Sequence, residues 1–369
     1  MGKELIQALA FSAPAVCALV CLAMLILDIF YTEKNREEKS LRLFLSLTFT
    51  VAALCWMGLV LQVANHRAFA CYSSVFLLTL MLDQILIYRF VHIITATGRN
   101  DRFSRLHFVL PVLLTAVSAV TDLIVPVERQ EAIIYGDGYS GGNGWFTALY
   151  SLTGVVFVVY NSLYPALGLL RIRRYSRSIE DYSADAQCTS LNWLRVMQAL
   201  TLITIPVPLA GLLFDIDVFS DFYFSMQGVL PTFFIYPILC YNLLSDNYVI
   251  IRDDENPPVN AAEIDPKRFA LYLRDRKPYL NPQLRITDIA ADLCTNRNYV
   301  SAFINREYGM NFSRLINRCR LKELDRLRLS PDHRKNTNLE LVLMAGFSSY
   351  RSYLRVKSEE DKARMLKAF

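Results

Sequence analysis

Residues 286–309 read ITDIAADLCTNRNYVSAFINREYG, and the spacing of their apolar positions predicts two short helices joined by a tight turn. Thr287 can cap the first helix, and Asp288 stands in its first turn, where a carboxylate interacts favourably with the helix dipole. Asn296 is a good N-cap for the second helix, which we expect over residues 297–306. This layout predicts a helix-turn-helix.

The two predicted helices have an inner and an outer face. Ala290 is small where crossing helices would approach closely. We expect Leu293, Val300 and Ile304 to point into the core. The outer face of the second helix carries Arg297, Asn298, Ser301, Ala302, Asn305 and Arg306. Arginine and asparagine read guanine and adenine edges in the major groove, so this face predicts DNA contacts, with Arg306 expected on a phosphate.

Charge is distributed unevenly along the chain. Residues 1–265 hold 17 Lys and Arg against 23 Asp and Glu, whereas residues 266–369 hold 22 against 11. A basic domain suits a polyanionic partner, although the charge could also serve only to keep the domain soluble. Together with the helix-turn-helix pattern, it favours double-stranded DNA as the partner.

The first two thirds of the chain consist of long apolar stretches. Each is close to the ~20 residues that a helix needs to cross a hydrocarbon core. We expect seven membrane spans, at residues 5–31, 41–65, 70–97, 106–127, 145–170, 191–214 and 219–244. The first is too long for the core of a signal peptide, which favours a retained helix in the lipid bilayer.

Basic residues in the connecting loops predict the orientation. Lys and Arg concentrate in cytoplasmic loops because basic flanks resist translocation. The loops after spans one, three and five hold Lys34, Arg36, Lys39, Arg42, Arg99, Arg102, Arg105, Arg171, Arg173, Arg174 and Arg177. The opposite side holds only Lys3, Arg67 and Arg129. The sequence therefore predicts an inner-membrane protein with its N-terminus outside and its C-terminal domain in the cytoplasm.

Composition also marks the boundary between the two parts. Residues 253–258 read DDENPP, which is charged, contains two prolines and has no apolar periodicity. We predict a transmembrane sensor domain over residues 1–245, a linker over 246–265 and a DNA-binding domain over 266–369.

Sequence patterns give no support for a metal, a cofactor or catalysis. The eight cysteines form no CxxC pair and the four histidines are scattered, so we expect neither a disulfide framework nor a metal site. Residues 136–141, GDGYSG, match G-x-G-x-x-G, but they lie between two predicted spans and are interpreted as a turn. No enzyme motif has the required context, and we expect no cofactor and no enzymatic activity.

Asp83 and Gln84 lie within predicted span three. Ionisable groups at membrane depth are costly and usually face a cavity or a partner. The two residues are candidates for a ligand site or for a polar network between helices, and the sequence leaves both interpretations open.

Several C-terminal motifs resemble the DNA-binding domain of AraC/XylS-type transcription regulators. They are KPYLNP at 277–282, DIA at 288–290, YVS at 299–301, GMNF at 309–312, INRCRL at 316–321 and AGFSSYRSY at 345–353. They cover about residues 268–357 in the family's order and near its spacing, and their combination is specific.

The resemblance implies two helix-turn-helix units joined by a long helix over residues 312–329. By position, the first recognition helix would hold Arg297, Asn298, Ser301, Ala302 and Asn305. The second would hold Ser349, Tyr350, Arg351 and Arg355. The expected fold class is therefore all-α, with a seven-helix transmembrane bundle followed by a cytoplasmic double helix-turn-helix domain.

The second unit departs from the family's pattern at three places. Val342 replaces a small alanine of the supporting helix, and Lys357 stands where a core phenylalanine is usual. Residues 359–361, EED, replace the Gly-x-Thr-Pro ending. We therefore expect the second unit to pack or bind less typically than the first.

Two functions from different classes fit this sequence. The first is a membrane-anchored bacterial transcription regulator that senses an unknown signal ligand and binds promoter DNA; it allows a homodimer and contact with RNA polymerase. The second is a membrane transporter or channel with a regulatory cytoplasmic tail. Transporters often contain internal repeats, and no convincing repeat relates the halves of this sequence, which favours the regulator.

Overall fold

A computed structural model describes residues 2–33, 36–96, 101–135, 144–184, 191–204, 222–248, 250 and 264–367. These residues form fourteen α-helices and no β-strand, with an isolated bridge between Ser183 and Arg285. The predicted all-α class is confirmed at this level. The glycine motif at 136–141 and residues 251–263 of the predicted linker lie outside the described residues.

Eight of the fourteen helices precede the predicted linker and six follow it. The first eight are α1 (Gly2–Tyr31), α2 (Arg36–Ala64), α3 (His66–Ile94), α4 (Val109–Ile124), α5 (Val127–Tyr135), α6 (Gly144–Ile179), α7 (Asn192–Ile203) and α8 (Phe222–Leu244). The other six are α9 (Pro266–Arg276), α10 (Ile286–Asp292), α11 (Arg297–Tyr308), α12 (Phe312–Leu329), α13 (Asn338–Met344) and α14 (Tyr350–Lys367). Short 3-10 turns occur at Arg105–Phe108, Pro278–Leu280 and Pro331–His333.

The contacts divide the chain into two compact units. Unit 1 comprises Met1–Thr95, Arg102–Ile172 and Asn192–Asn247. Unit 2 comprises Ala96–Asp101, Arg173–Leu191 and Tyr248–Phe369. Helix α6 therefore begins in unit 1 and ends in unit 2. The predicted domain boundaries assigned Arg173–Leu191 to the membrane part, whereas its contacts group it with the C-terminal helices.

Five described helical stretches are long and apolar enough to cross a membrane. They are Glu4–Tyr31, Glu38–Ala64, His66–Ile94, Arg105–Ile124 and Gly144–Ile179, at the positions of predicted spans one to five. Predicted spans six and seven are described only in part, as α7 and α8, because residues 205–221 lie outside the described residues. Apolar side chains such as Leu9, Leu113 and Val159 are exposed on these helices, as expected for lipid contact.

Helix α5 lies where the sequence predicted only a loop. Gln130 anchors it, since its buried amide donates to the main-chain carbonyls of Asp122 (3.1 Å) and Val125 (2.7 Å). These carbonyls belong to the end of α4 and the residue after it, where main-chain acceptors lack helical partners. The extra helix therefore satisfies the end of the preceding one.

Arg42, one of the predicted loop charges, lies within α2, as Arg36 and Lys39 do. Its side chain is buried and donates to the carboxylates of Asp28 and Asp246, near the ends of α1 and α8. A buried cation without such anions would cost several kcal/mol in lost hydration. The cluster joins α1 and α2 to the residues that follow α8.

Unit 2 is organised on α12, which has the bounds that the resemblance predicted. An aromatic cluster joins Phe269, Phe303 and Tyr308, with ring centroids 5.0 to 6.2 Å apart. A second buried cluster gathers Leu324, Leu327, Leu341, Val342, Ala345, Phe347, Tyr353 and Val356. The unit is thus held by two small cores.

Arg320 of α12 links that helix to two segments that are distant in sequence. Its buried guanidinium donates to the carbonyls of Tyr279 (2.8 Å), Asn281 (2.8 Å) and Ala184 (3.0 Å). A planar fork of donors can satisfy several carbonyls at once, which the single ammonium of a lysine does poorly. This side chain fixes the turn at 278–282 against α12.

Candidate nucleic-acid interface

Helices α10 and α11 are called the first helix pair. Helix α10 begins at Ile286, whose main-chain N–H donates to the carbonyl of Tyr182 (2.9 Å). The carboxylate of Asp288 accepts the main-chain N–H of Arg285 (2.8 Å) and so caps the helix start. Thr287 lies inside the helix, so its predicted role as the cap was wrong, whereas Asp288 occupies the first turn as predicted.

Helix α11 begins at Arg297 as predicted. The side chain of Asn296 accepts the main-chain N–H of Tyr299 (3.1 Å), which confirms the predicted N-cap. The helix continues to Tyr308, two residues beyond the predicted end, and stops at Gly309, whose φ of 62° lies in the left-handed region that favours glycine.

The inner face of the first helix pair is formed largely by the predicted residues. Val300, Ile304 and Ala290 are fully buried, whereas Leu293 is only half-buried. Phe303, which the sequence analysis did not assign to the core, packs against Phe269 of α9 with ring centroids 5.0 Å apart. These contacts fix which side of α11 faces outward.

The six predicted outer-face residues lie together on the other side of α11. Asn298, Ala302, Asn305 and Arg306 are exposed, whereas Arg297 and Ser301 are half-buried. The amide of Asn305 donates to the hydroxyl of Ser301 at 3.5 Å, and Arg306 pairs with Glu307 at 3.0 Å. The structure therefore brings a row of polar side chains onto one helix face.

Residues 173–184, which are the end of α6 and the chain after it, are called the bracing segment. They belong to unit 2 and bond to the entry of the first helix pair. The N–H of Ala184 donates to the carbonyl of Leu284 (3.2 Å), and the N–H of Ile286 donates to the carbonyl of Tyr182 (2.9 Å). Such pairing leaves the segment no rotational freedom at this point.

The bracing segment bonds again where the chain leaves the first helix pair. The N–H of Ser313 donates to the carbonyl of Glu180 (2.9 Å), and the amide of Asn311 donates to the Glu180 carboxylate (3.0 Å). Its apolar side chains are buried, namely Tyr175, Ile179 and Tyr182. The segment therefore holds the chain on both sides of α10 and α11.

A cavity of about 190 Å³ separates the bracing segment from α11. Its lining residues are Ser178, Asp181, Tyr182, Ile286, Arg297, Asn298 and Ser301. Burial raises the pKa of Asp181, and its buried Oδ1 accepts no hydrogen bond from the described residues. Three of the predicted DNA-contacting residues therefore line one cavity together with an acidic residue.

Helices α13 and α14 are called the second helix pair. Thr337 and Glu340 cap α13 reciprocally: the N–H of Glu340 donates to the Thr337 hydroxyl (3.3 Å), and the N–H of Thr337 donates to the Glu340 carboxylate (2.7 Å). At the start of α14, the hydroxyl of Ser349 accepts the N–H of Ser352 (3.1 Å). Both starts use side chains close in sequence.

The predicted contact residues of the second helix pair lie at the start of α14. Tyr350, Arg351 and Arg355 are exposed, and Ser349 is half-buried. The hydroxyl of Tyr350 accepts a hydrogen bond from Asn338 of α13 (3.1 Å). The surface is therefore available, but its tyrosine already has an internal partner.

The second helix pair accommodates two of the three departures by simple packing. Val342 is completely buried in the second core, so the larger side chain fits between α13 and its neighbours. Lys357 is exposed, with its ammonium 6.0 Å from the ring of Tyr353. The buried position next to it is filled by Val356.

Glu360 supplies a link that the sequence analysis treated only as a departure. It is buried, and its carboxylate accepts hydrogen bonds from Arg314 (2.7 Å) and Arg318 (3.0 Å) of α12. Burial raises the pKa of Glu360, but the hydrogen bonds from Arg318 and Arg314 outweigh this effect and hold it below its usual value. The i, i+4 spacing of the two arginines is the signal that could have suggested an acidic partner.

Asp83 and Gln84 lie on α3 of unit 1 and are both buried. The Gln84 amide donates to Asp83 Oδ2 (3.4 Å), while Asp83 Oδ1 accepts no hydrogen bond from the described residues. A buried acceptor without a partner is costly, which keeps this pair a candidate for a ligand contact. No group of three His, Cys, Asp or Glu that could hold a metal ion occurs in the described part of the chain.

Comparison of the chain with protein-family models, curated proteins and solved structures finds no match. The likeness to AraC/XylS-type regulators is therefore a likeness of motifs. The case for the interface depends on the geometry and charge of this chain's own residues.

Proposed function

We propose that this chain is a membrane-anchored transcription regulator that binds double-stranded promoter DNA in a sequence-specific way. The two helix pairs of unit 2 act as helix-turn-helix units, with α11 and the start of α14 in successive major grooves. The membrane domain has seven spans in the inner membrane and senses a signal that changes how the helix pairs are presented.

The observation that carries the proposal is the outer face of α11. Arg297, Asn298 and Asn305 project from a helix whose opposite face is buried against a small core. Arginine and asparagine in this arrangement can form paired hydrogen bonds with guanine and adenine edges. The excess of 22 basic over 11 acidic residues in 266–369 supplies the attraction to phosphate groups.

Contacts between segments that follow different spans are compatible with the proposed seven-span topology. Arg42, at the start of α2, binds Asp246, which follows α8. The bracing segment follows span five, and it bonds to Leu284 and Ile286, which follow predicted span seven. Groups that touch lie on the same side of a membrane, so an even number of crossings must separate them. Two crossings after α6 meet this requirement, and the basic loops favour the cytoplasm for this side.

DNA selection with the full-length chain in lipid nanodiscs tests the proposal. The full chain is needed because a fragment of residues 266–369 would lack the hydrogen bonds from the bracing segment. We expect one discrete sequence to be enriched and a footprint over two successive major grooves. Replacing Arg297 and Asn305 together by alanine removes the footprint, whereas Arg268→Ala, which removes an exposed charge from α9, retains it. Equal binding of all sequences would overturn the proposal.

Reporter fusions test the orientation independently. A cytoplasmic reporter joined after residue 184 or after residue 367 is expected to be active in both cases. Activity of a periplasmic reporter at either position would contradict the topology. Substrate flux into vesicles that persists in a chain without DNA-binding activity would favour the transporter hypothesis instead.

A further inference from the structure

The bracing segment faces the part of α11 that is expected to read DNA. Of the residues that line the cavity between them, Arg297, Asn298 and Ser301 are predicted DNA contacts, while Ser178, Asp181 and Tyr182 belong to the bracing segment. A volume of about 190 Å³ holds roughly six water molecules at about 30 Å³ each. Asn298 is exposed, but Arg297 and Ser301 are half-buried. These two side chains are therefore only partly accessible to a major groove, in which a recognition helix must lie.

The bracing segment is hydrogen-bonded to the chain on both sides of the first helix pair. It bonds to Leu284 and Ile286 on one side and to Asn311 and Ser313 on the other. These four positions flank α10 and α11 directly. A displacement of the segment must therefore change either these hydrogen bonds or the position of the pair.

The bracing segment is also the direct continuation of a candidate membrane span. Helix α6 has 36 residues, which corresponds to about 54 Å at ~1.5 Å per residue. The hydrocarbon core of a bilayer is only about 30 Å thick, so the helix is long enough to leave it by several turns. A movement of α6 reaches the first helix pair without passing through the linker at 246–265.

The charge in the cavity opposes DNA. Asp181 lines the same cavity as Arg297 and Asn298, beside the face where a phosphate or base edge would have to approach. Its Oδ1 accepts no hydrogen bond from the described residues, so main-chain bonds elsewhere in the segment hold it in place. A carboxylate at this position repels the polyanion and competes for the cationic side chain.

We propose that the bracing segment is an autoinhibitory element that lies beside the N-terminal half of α11 and restricts the approach of DNA until α6 moves. The restricted and open states are in equilibrium, and a signal received by the membrane helices shifts it towards the open state. The inference rests on the proposed DNA binding and adds the element that regulates it.

The test compares two neighbouring charges in the full-length chain in nanodiscs. Asp181→Asn removes the carboxylate of the residue that lines the cavity beside α11. Glu180→Gln removes the same charge one residue earlier while retaining an acceptor for Asn311. With the selected DNA, Asp181→Asn is expected to bind at least about fivefold more tightly than the unmodified chain, the lower end of usual coupling between sites. Glu180→Gln is expected to bind like the unmodified chain.

Hydrogen exchange on the same samples supplies a second measurement. Because linkage is reciprocal, DNA that binds only the open state must loosen the closed contact, and the amide of Ile286 should exchange faster when DNA is bound. Exchange rates elsewhere in unit 2 that match those of the unmodified chain would show that Asp181→Asn is folded.

The outcomes separate the two proposals. If the unmodified chain binds a specific sequence but Asp181→Asn binds with equal affinity, autoinhibition is wrong and the proposed function stands. An equal gain in both variants also overturns it, since the effect would then be one of general charge. If neither the unmodified chain nor either variant prefers any sequence, the proposed function and the inference fail together.

Discussion

The two helix pairs of unit 2 share a local plan but are anchored by different chemistry. The first is flanked by main-chain hydrogen bonds to the bracing segment, which continues a candidate membrane span. The second is tied to α12 by the carboxylate of Glu360 with Arg314 and Arg318. The first pair is therefore bonded to the chain that continues a candidate membrane span, whereas the second is fixed to the long helix by charge.

Both pairs nevertheless depend on the same structural element, the turn at 278–282. Arg320 binds the carbonyls of Tyr279 and Asn281 from α12, and Gly346, which follows α13, approaches the same turn from the second pair. Substitutions that disturb this turn should destabilise both pairs, and substitutions in one pair alone should destabilise only that pair. This difference can be measured.

The largest expected effect is that of Arg320→Met. It removes donors from the buried carbonyls of Tyr279, Asn281 and Ala184, and we expect the free energy of unfolding of unit 2 to fall by about 4 kcal/mol. Hydrogen exchange of the full chain should report this loss in both α11 and α14. Lys322→Met, which changes an exposed residue of the same helix, is the control. A loss confined to one pair would show that the turn is not shared.

Gly346→Ala should disturb the shared turn from the side of the second pair. Its φ of 93° is unfavourable for other residues, and an added Cβ would lie 2.3 Å from the carbonyl oxygen of Tyr279 and 2.7 Å from Cα of Leu280. We expect a loss of about 3 kcal/mol, observed as faster exchange in α14 and, through the turn, in α11. Gly309→Ala is the matched control in the first pair, because its φ is 62° and no atom lies within 4 Å of the added Cβ. It should cost only about 1 kcal/mol.

Features determined by neighbouring residues could be predicted from the sequence. The bounds of α12 followed from the resemblance, and the cap at Asn296 followed from its position before a polar and apolar pattern of helical period. The burial of Val300 and Ile304 followed from the same period. In each case the determining contacts lie within a few turns of the residue itself.

Features determined by distant partners could not be predicted. Tyr182 bonds to Ile286 through main-chain atoms, and main-chain atoms are the same in every residue, so the sequence does not indicate such a partner. The helix that begins at Ile286 starts one residue before the predicted cap, Thr287. Glu360 looked like the loss of a family motif because its partners lie 42 and 46 residues away. Arg42 looked like a loop charge because its carboxylate partners are distant in sequence: Asp28 lies in α1 and Asp246 follows α8.

DNA affinity should distinguish the predicted contact residues of α11 from those at the start of α14. Arg297→Ala is expected to cost about 2 kcal/mol with the selected site and to relax specificity at one base pair, as for an arginine bonded to guanine. Arg351→Ala should cost about 1 kcal/mol equally on all sequences and reduce the salt dependence of binding, because we expect this arginine to contact phosphate. Binding to a panel of single-base variants at two salt concentrations measures both. Base-specific loss in Arg351→Ala would make the two surfaces equivalent.

The smallest expected effect is a loss of stability that occurs at low pH and is confined to the second pair. The pKa of Glu360 is lowered in the folded chain, so its stabilising contribution is complete above the unfolded value of about 4.3 and is lost as the pH falls through the lowered value. Glu360→Gln should therefore destabilise α14 by about 1 kcal/mol at neutral pH and weaken its dependence on pH below about 4. Glu359→Gln removes an exposed charge next to Glu360 and should change neither the stability of α14 nor its dependence on pH. Since the pKa of Glu323 is also lowered, chiefly by a hydrogen bond from Arg326, some acid sensitivity should remain in α12. If α11 lost as much protection as α14 in Glu360→Gln, the separate anchoring of the two pairs would be wrong.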